Sequence, residues 1–400
     1  MAKVRPNKKK PQKSDKLSLN RFVAPPTKAA PPPKTSSLLL AQATAALHQG
    51  DIHDSVQLAK QALDLTDTNS KESLPVLTLL GEIHVELGEV DVAREYFLAA
   101  AAIHENGGTD EKAGGGVDKF LWLAQLSENG GKDSVKWFEK GAGTLRVQIQ
   151  ALLEQCGLKT GKSVATEEML EEKRRKLATA LCGIVEVYMT DLSWEEDAEQ
   201  RCEALVTEAT MVAPACAEPW QTLASVRISQ SRIEDARAAL KRSLDLWKDL
   251  LPEDESVPDF PTRVSLVRLL MEAEMEEDAF DVLERLVNED DSSVEVWYLG
   301  GWCLYIIGGK QKSVVNQREP TGEVETFKVS WISSRQWLKR SMQLFELQDY
   351  EDFRLGEHTR ELIAILDEHL GGSAVGADED NDGWESDDED TNEDEKMVEV

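Results

Sequence analysis

The chain of 400 residues contains 75 Asp and Glu against 45 Lys and Arg, which gives a formal net charge of −30 at pH 7. So acidic a surface repels the phosphates of nucleic acids and the head groups of membranes, and it attracts basic partners. No stretch approaches the roughly 18 consecutive apolar residues of a membrane helix, and the N-terminus lacks the apolar core of a signal peptide. We therefore expect a soluble intracellular protein that binds neither nucleic acid nor membranes directly.

The residue types that bind metals or carry catalysis form no recognisable site. The five cysteines are scattered and include no C-x-x-C pair, which argues against a disulfide framework or a zinc site. The six histidines show no metal spacing, and carboxylates are too frequent to indicate an acid–base pair. The sequence Gly161-Lys162-Ser163 lacks an earlier glycine at the spacing of a phosphate loop. We expect no metal, no cofactor and no enzymatic activity.

The two ends of the chain differ sharply in charge from each other. Residues 1–34 hold ten Lys and Arg against one acid, together with seven prolines, whereas residues 371–400 hold thirteen Asp and Glu against one Lys. Neither stretch has enough apolar residues to form a core. The sequence therefore predicts a disordered basic arm (1–34), a folded and acidic body (35–370) and a disordered acidic tail (371–400).

Two short motifs lie in these ends. Lys8, Lys9, Lys10 and Lys13 form a basic cluster typical of nuclear-import signals, although a solubilising arm that folds back on the acidic body is an alternative. On the first interpretation we expect the protein in both nucleus and cytoplasm. In the tail, Ser386 is followed directly by three acids, a context that suits phosphorylation by an acid-directed kinase.

The body is organised around a helix-pair pattern that is clearest at residues 76–102. Two short amphipathic helices flank a turn at Gly88, small residues such as Gly81 and Ala93 lie where the helices would cross, and Phe97 fills the space beside them. This spacing resembles the tetratricopeptide repeat, a helix–turn–helix unit of about 34 residues. One unit cannot bury its apolar face alone, so the resemblance implies that neighbouring units stack on it.

Similar units follow one another through the body. We predict that Ser36 or Ser37 caps the first helix, and that Gly308-Gly309 ends the first helix of the seventh unit before a polar insertion at residues 310–328. The predicted fold is an all-α tetratricopeptide-repeat superhelical solenoid of about seven helix pairs, closed by a capping helix at residues 350–370. The pattern of the seven units extends over residues 38–63, 76–102, 120–141, 167–212, 219–243, 266–286 and 297–341.

The order of the segments along the chain indicates a particular family of tetratricopeptide-repeat proteins. A basic Pro-rich arm, imperfect repeats, an aromatic segment at residues 297–305 and the tail sequence Asp-Gly-Trp-Glu-Ser at residues 382–386 follow one another. This organisation resembles the fungal assembly chaperones dedicated to ribosomal protein L-four of the large subunit. The resemblance implies capture of the long basic internal loop of that newly made protein, protection from aggregation, and delivery to nuclear pre-ribosomes. An import receptor is a further expected partner, and we expect a monomer.

In such a superhelix the first helix of each pair lines the concave side. Carboxylates there would pair with Arg and Lys of an extended segment, while Trp302 and Tyr305 would stack on guanidinium groups or, alternatively, pack between repeats. Arg268 departs from an acidic groove and is expected to pair with an acid. The partner-binding positions that the resemblance implies are Glu82, Glu86, Gln125, Gln221, Ser225, Tyr298, Trp302 and Tyr305. We add Glu186 from the poorly aligned fourth unit, and Trp122, which falls off the apolar face of its helix and is expected to be exposed.

Other functions stay open at this point. A general tetratricopeptide scaffold would favour Lys and Arg clusters that clamp a carboxylate, whereas the implied groove carries acids and aromatic residues. A chaperone of other basic proteins, such as histones, follows the same charge argument. An enzyme or enzyme regulator that uses the repeats as an accessory is a third alternative, but the chain leaves no segment outside the repeats that is long enough for a catalytic domain.

Overall fold

The computed structural model describes residues 35–67, 69–103, 116–158, 164–317 and 326–371, with the backbone alone at 156–158 and 315–317. The predicted basic arm and all but the first residue of the predicted tail lie outside these residues. Lys8, Lys9, Lys10, Lys13 and Ser386 therefore lie outside the described residues as well.

The described residues form α-helices joined by short turns and contain no strand. Consecutive helices pack as seven pairs, and a fifteenth helix follows the last pair. The predicted all-α solenoid of seven helix pairs with a final helix is confirmed. The helices are α1 (Ser36–His48), α2 (Ile52–Asp64), α3 (Leu74–Glu86), α4 (Val90–Ile103), α5 (Asp118–Gln125), α6 (Gly131–Leu158), α7 (Val164–Met189), α8 (Ala198–Val212), α9 (Ala217–Ser229), α10 (Ile233–Leu244), α11 (Phe260–Glu272), α12 (Glu276–Glu289), α13 (Val294–Gln317), α14 (Thr326–Leu347) and α15 (Phe353–Leu370).

Within the pairs, small side chains let the two helices approach closely. A Cβ atom on Gly81 in α3 would lie 2.5 Å from the ring of Phe97 in α4, so a glycine is needed at this crossing. Elsewhere a buried serine of the second helix donates a hydrogen bond to a backbone carbonyl of the first. Such bonds join Ser55 to Ala43 (2.8 Å), Ser134 to Ala124 (2.6 Å), Ser243 to Ala217 (3.1 Å), Ser334 to Gly301 (2.7 Å) and Ser341 to Val294 (2.9 Å).

The second helix of each pair packs on the first helix of the next pair, and several first helices also pack on one another. Helix α1 packs on α3, α7 on α9, α9 on α11, α11 on α13, and α13 on α15. One cluster of buried apolar residues extends from α5 to α9 and a second from α9 to α13, so α9 belongs to both. We call the odd-numbered helices the first-helix row. None of the described helices is long and apolar enough to cross a membrane.

Two expectations about helix ends are wrong. Thr35 caps α1 by accepting a hydrogen bond from the Leu38 amide, because the chain enters the helix one residue earlier than expected. Helix α13 does not end at Gly308-Gly309 but continues to Gln317, and α14 begins at Thr326, so a shorter segment remains for the insertion. A Cβ on Gly308 would lie 2.3 Å from Trp331. This glycine therefore serves close packing of α14 rather than termination of α13.

Candidate functional site

Four of the cavities in the described part of the chain open between helices of the first-helix row. They lie in succession from the first pair to the last helix, and each is lined by two or more odd-numbered helices. A surface that collects side chains from successive repeats suits an extended ligand that crosses them. We number the cavities one to four in chain order.

The first cavity, of about 310 Å³, lies among α1, α3, α5 and α7 and contains Glu82, Asp118 and Lys176. Lys176 forms ion pairs with Asp118 at 3.2 Å and with Glu172 at 3.5 Å. Burial, assisted by the charge of Asp118, raises the pKa of Glu82 from 4.5 to about 6, against the opposing effect of Lys176. A cationic ligand that enters here would lower the pKa of Glu82 again. It would pair with a carboxylate whose charge Lys176 only partly balances.

The second and third cavities share a wall made by Thr179 of α7 and Glu218 of α9. The Thr179 hydroxyl donates a 2.8 Å hydrogen bond to Glu218. Burial raises the pKa of Glu218, the carboxylates of Glu186 and Asp259 raise it further, and the Thr179 hydrogen bond acts in the opposite direction. Several carboxylates therefore converge on one place, and Glu186 and Asp259 disfavour the charge of Glu218 until a cation arrives.

The charged side chains that line these two cavities are acidic, with one exception. The second, of about 480 Å³, adds Gln125 and Asp191, and the carboxylate of Asp191 already accepts a hydrogen bond from the Gly131 amide at 2.9 Å. The third, of about 690 Å³, adds Glu171 and Glu255 with a single base, Arg175. Their lining has the charge expected of a surface that binds Lys and Arg side chains.

The fourth cavity differs in chemistry from the other three. It has a volume of about 570 Å³, and apolar side chains from α11, α13 and α15 form its walls. Its rim carries two bases and two acids, so its charges balance. The walls include Met271, Tyr298, Leu299, Trp302, Ile306 and Leu355, and the rim includes Arg268, Glu272, Asp352 and Arg354.

Aromatic contacts hold one wall of the fourth cavity in place. The Tyr298 hydroxyl lies 2.8 Å from Nδ1 of His358, which joins α13 to α15. The Trp302 ring meets the His358 ring edge to face, with 5.3 Å between the ring centres and 82° between the planes. Arg268 forms an ion pair with Glu295, as the sequence led us to expect. The wall is thus fixed before any ligand enters, which lowers the entropic cost of binding.

The structure brings five of the predicted partner-binding residues to the cavities. Glu82 lies in the first, Gln125 and Glu186 in the second, and Tyr298 and Trp302 in the fourth. These residues come from four different repeats. All five belong to first helices.

Other predicted residues have different surroundings. Glu86 is exposed on α3 outside these cavities, and Tyr305 stacks on the buried Trp331 with 6.2 Å between ring centres. Trp122 is half-buried against Phe97 rather than exposed. The expectation that Gln221 lines the groove is wrong, because only 5% of this side chain is exposed. Its α9 position faces the helices packed around it, one turn after the groove-facing Glu218.

The sequence-based prediction missed residues at the starts of the first helices. Asp118 and Glu218 lie in the first turns of α5 and α9, and Asp259 caps α11 by accepting a hydrogen bond from the Thr262 amide at 3.0 Å. Acids are favoured at these positions by the free amides and the helix dipole. That rule was a usable signal for the acidic wall, whereas the prediction considered only positions further along each helix.

The thiols and potential metal ligands of the described chain show no reactive arrangement. Cys182, Cys202 and Cys303 are buried free thiols, and Cys216 is half-buried. Burial raises the pKa of Cys303 to about 12 and that of Cys182 further still, so both stay protonated near neutral pH. The described residues contain no cluster of His, Cys, Asp and Glu able to hold a metal ion.

Comparison with known proteins agrees with this architecture. Residues 40–108 match the family model described as "Tetratricopeptide repeat". A protein of Emericella nidulans named "Probable assembly chaperone of rpl4" is 46% identical over 377 residues, which cover 93% of this chain and 91% of the relative. A protein of Schizosaccharomyces pombe with the same name is 32% identical over 321 residues, covering 80% of this chain and 87% of the relative.

A solved structure is also similar. It is described as "Assembly Chaperone of RpL4 (Acl4) (Residues 1-338)" and superposes with a TM-score of 0.67 at 56% sequence identity, covering 70% of this chain and 99% of the other. The identity to these proteins extends over most of the chain, far beyond a single repeat. The chain therefore belongs to the family of tetratricopeptide-repeat proteins known as assembly chaperones of rpl4.

Proposed function

We propose that this chain binds newly made ribosomal protein L4 through its long basic internal loop, keeps it soluble and delivers it for assembly of the large ribosomal subunit. The names of the relatives supply the partner. The observation that carries the proposal is the acidic first-helix row, in which carboxylates from α3, α5, α7, α9 and the N-cap of α11 line three successive cavities.

The chemistry of binding follows from these cavities. Arg and Lys side chains of an extended segment pair with Glu82 at one end of the row and with Glu186 and Glu218 in its middle. Burial raises the pKa of Glu218, and the charges of Glu186 and Asp259 raise it further; an arriving cation offsets this second contribution. Binding energy thus comes partly from relief of an unfavourable arrangement of charges.

The same row explains how a chaperone protects such a partner. A basic segment without its final RNA contacts binds any polyanion, because release of counterions drives the association. Carboxylates spaced along a groove compete for the same cations and exclude RNA phosphates by repulsion. The role is non-enzymatic: the chain holds, shields and transfers its partner.

Delivery requires that the protein reach the nucleus, and we propose that it occurs in both nucleus and cytoplasm. The basic cluster Lys8, Lys9, Lys10 and Lys13 supports this proposal by its composition. Imaging of a fluorescent fusion tests it. Replacing the four lysines by Ala should shift the fusion towards the cytoplasm, and an unchanged distribution would remove this cluster from the proposal.

The partner is tested with purified proteins. The full-length chain is titrated with ribosomal protein L4, with its excised internal loop, with other ribosomal proteins and with histones, each at low and physiological salt. Tight binding confined to L4 and its loop, and resistant to salt, supports the proposal. Equal and salt-sensitive binding to every basic ligand would contradict it and would indicate a general acidic chaperone.

A matched pair of variants distinguishes the effect of the carboxylates in the first-helix row from the effect of the net charge. The first replaces Glu82, Glu186 and Glu218 by Gln, and the second neutralises the exposed acids Glu95, Asp281 and Glu284 on the second helices. Both variants lose three negative charges. We expect the first to weaken L4 binding and the second to leave it nearly unchanged; an equal loss in both would show that only the net charge matters.

A further inference from the structure

One apolar side chain lies in the middle of the acidic tail. Trp384 is the only aromatic residue of residues 371–400, where thirteen Asp and Glu surround it. An indole ring exposes a large apolar area, and burying it is strongly favourable. A solubilising tail needs only its charges. The single tryptophan therefore indicates that this part of the tail has a specific binding site.

The fourth cavity has the size and lining that such a side chain requires. Its volume of about 570 Å³ lies within the range of roughly 300–1,000 Å³ typical of pockets that hold ligands. Trp302 and the neighbouring Tyr298, with 5.9 Å between their ring centres, offer aromatic surface from α13. Met271 and Leu355 complete the apolar wall from α11 and α15. Aromatic rings and a thioether are favourable neighbours of an indole.

The charges at this cavity also favour it over the other three. In each of those, acidic side chains outnumber basic ones, so they repel a segment such as Trp384-Glu385. At the fourth, Asp352 is engaged in capping α15, where it accepts a hydrogen bond from Leu355 at 3.1 Å. Arg354 is exposed there and has no ion-pair partner among the described residues. Its guanidinium group is available to an acidic residue beside the tryptophan.

The length of the tail allows this contact. Gly371 ends α15, and the other end of the same helix contributes Asp352, Arg354 and Leu355 to the fourth cavity. A helix of 18 residues is about 27 Å long. Trp384 lies thirteen residues beyond Gly371, and an extended chain of that length spans about 43 Å. The tail can therefore turn back along α15 and reach the cavity with chain to spare.

We propose that Trp384 docks in the fourth cavity of its own chain, between Met271 and Trp302, with Glu385 against Arg354. The tail then fills the apolar end of the first-helix row while the acidic cavities stay open to a basic ligand. A partner that uses the fourth cavity must displace Trp384. The docked tail therefore excludes ligands that bind this cavity more weakly than Trp384 does, and the first-helix row becomes more selective among basic proteins. This docking goes beyond the proposed function and does not depend on which basic protein binds.

A photo-crosslinking experiment on the full-length chain tests the proposal without any partner. Position 384 receives p-benzoylphenylalanine in place of Trp384, the dilute protein is irradiated, and the crosslinked peptides are identified by mass spectrometry. We expect crosslinks within one chain to α11, α13 and α15, with Met271 among the sites. Crosslinks to α1–α9, or dimers alone, would overturn the proposal.

Two variants make the result specific to the cavity. Ile306→Arg places a charged side chain at the half-buried cavity wall, whereas Trp194→Ala removes an aromatic ring that is 73% exposed in a distant turn. Ile306→Arg should reduce the crosslink yield about tenfold or more, and Trp194→Ala should not change it. Circular dichroism verifies that both variants are folded. An equal yield in Ile306→Arg and the parent would overturn the proposal.

A binding measurement gives an independent readout. A fluorescein-labelled peptide of residues 378–390 is titrated into the full-length chain that carries Trp384→Ala, so that its own tail does not compete. We expect saturable binding, weakened about tenfold or more when the peptide itself carries Trp384→Ala. Equal affinity of the two peptides would show that only charge is sensed and would overturn the docking of the indole.

Discussion

The hydroxyl of Thr179 on α7 donates a 2.8 Å hydrogen bond to the carboxylate of Glu218 on α9, and both residues line the second and third cavities. This one contact ties the fourth repeat to the fifth at the middle of the acidic surface. It also fixes the position of a carboxylate whose pKa is raised chiefly by burial.

Replacing Glu218 by Gln should weaken binding of the L4 loop by about threefold to tenfold at low salt, because one pre-positioned charge is lost while the side chain keeps its shape. The free energy of unfolding should not fall, since burial already disfavours the charged form. Titration calorimetry at two salt concentrations and urea unfolding measure the two effects. A strong loss of stability would instead make Glu218 a structural residue.

The raised pKa of Glu82, about 6 instead of 4.5, predicts a pH-dependent stability. The folded chain holds this proton more tightly than the unfolded chain, so the contribution to stability is present below pH 4.5 and is lost as the pH rises through 6. Glu82→Gln should therefore match the parent near pH 4.5 and exceed it by about 1 kcal/mol at pH 7, a value reduced for partial exposure. Urea unfolding at both pH values measures the difference.

Glu86→Gln is the control for this experiment, because Glu86 is exposed on the same helix. We expect its effect on the free energy of unfolding to stay within about 0.5 kcal/mol at either pH. A gain in stability of Glu82→Gln that is the same at pH 4.5 and 7 would contradict titration of Glu82 as its cause.

The buried Gln221 gives a prediction that separates structure from function. Its Nε2 atom has no hydrogen-bond partner among the described residues, and the side chain is 5% exposed. Gln221→Leu should raise the free energy of unfolding by about 1 kcal/mol, because an unsatisfied buried amide is removed. Binding of the L4 loop should not change. A marked loss of affinity would contradict this and would show that the buried amide is needed to shape the groove.

The adjacent glycines of α13 provide a matched pair for stability. A Cβ on Gly308 would lie 2.3 Å from Trp331, whereas a Cβ on Gly309 would meet nothing within 4 Å. Gly308→Ala should lower the free energy of unfolding by about 1–3 kcal/mol through overpacking. Gly309→Ala should raise it by about 0.5–1 kcal/mol, because alanine is the better helix former. Thermal and urea unfolding of both variants check the opposite signs.

The same residues show what the sequence predicted and what it did not. The contact of Gly81 with Phe97 follows from spacing within one unit, so it was predictable. Two adjacent glycines predict the end of a helix, and Gly308-Gly309 was interpreted in this way. The contact of Gly308 with Trp331 of the next helix is its actual role, and such a tertiary contact cannot be predicted from neighbouring residues in the sequence. Likewise, Glu218 and Asp259 are distant in sequence and become neighbours only because α9 and α11 stack.

The stacking of the odd-numbered helices sets a length scale for whatever crosses them. Packed helices lie about 8–10 Å apart, and an extended chain advances about 3.3 Å per residue. A strand laid across the row therefore meets a new helix at about every third residue. Basic side chains spaced by about three residues are therefore expected to meet successive helices of the row, whereas other spacings are not.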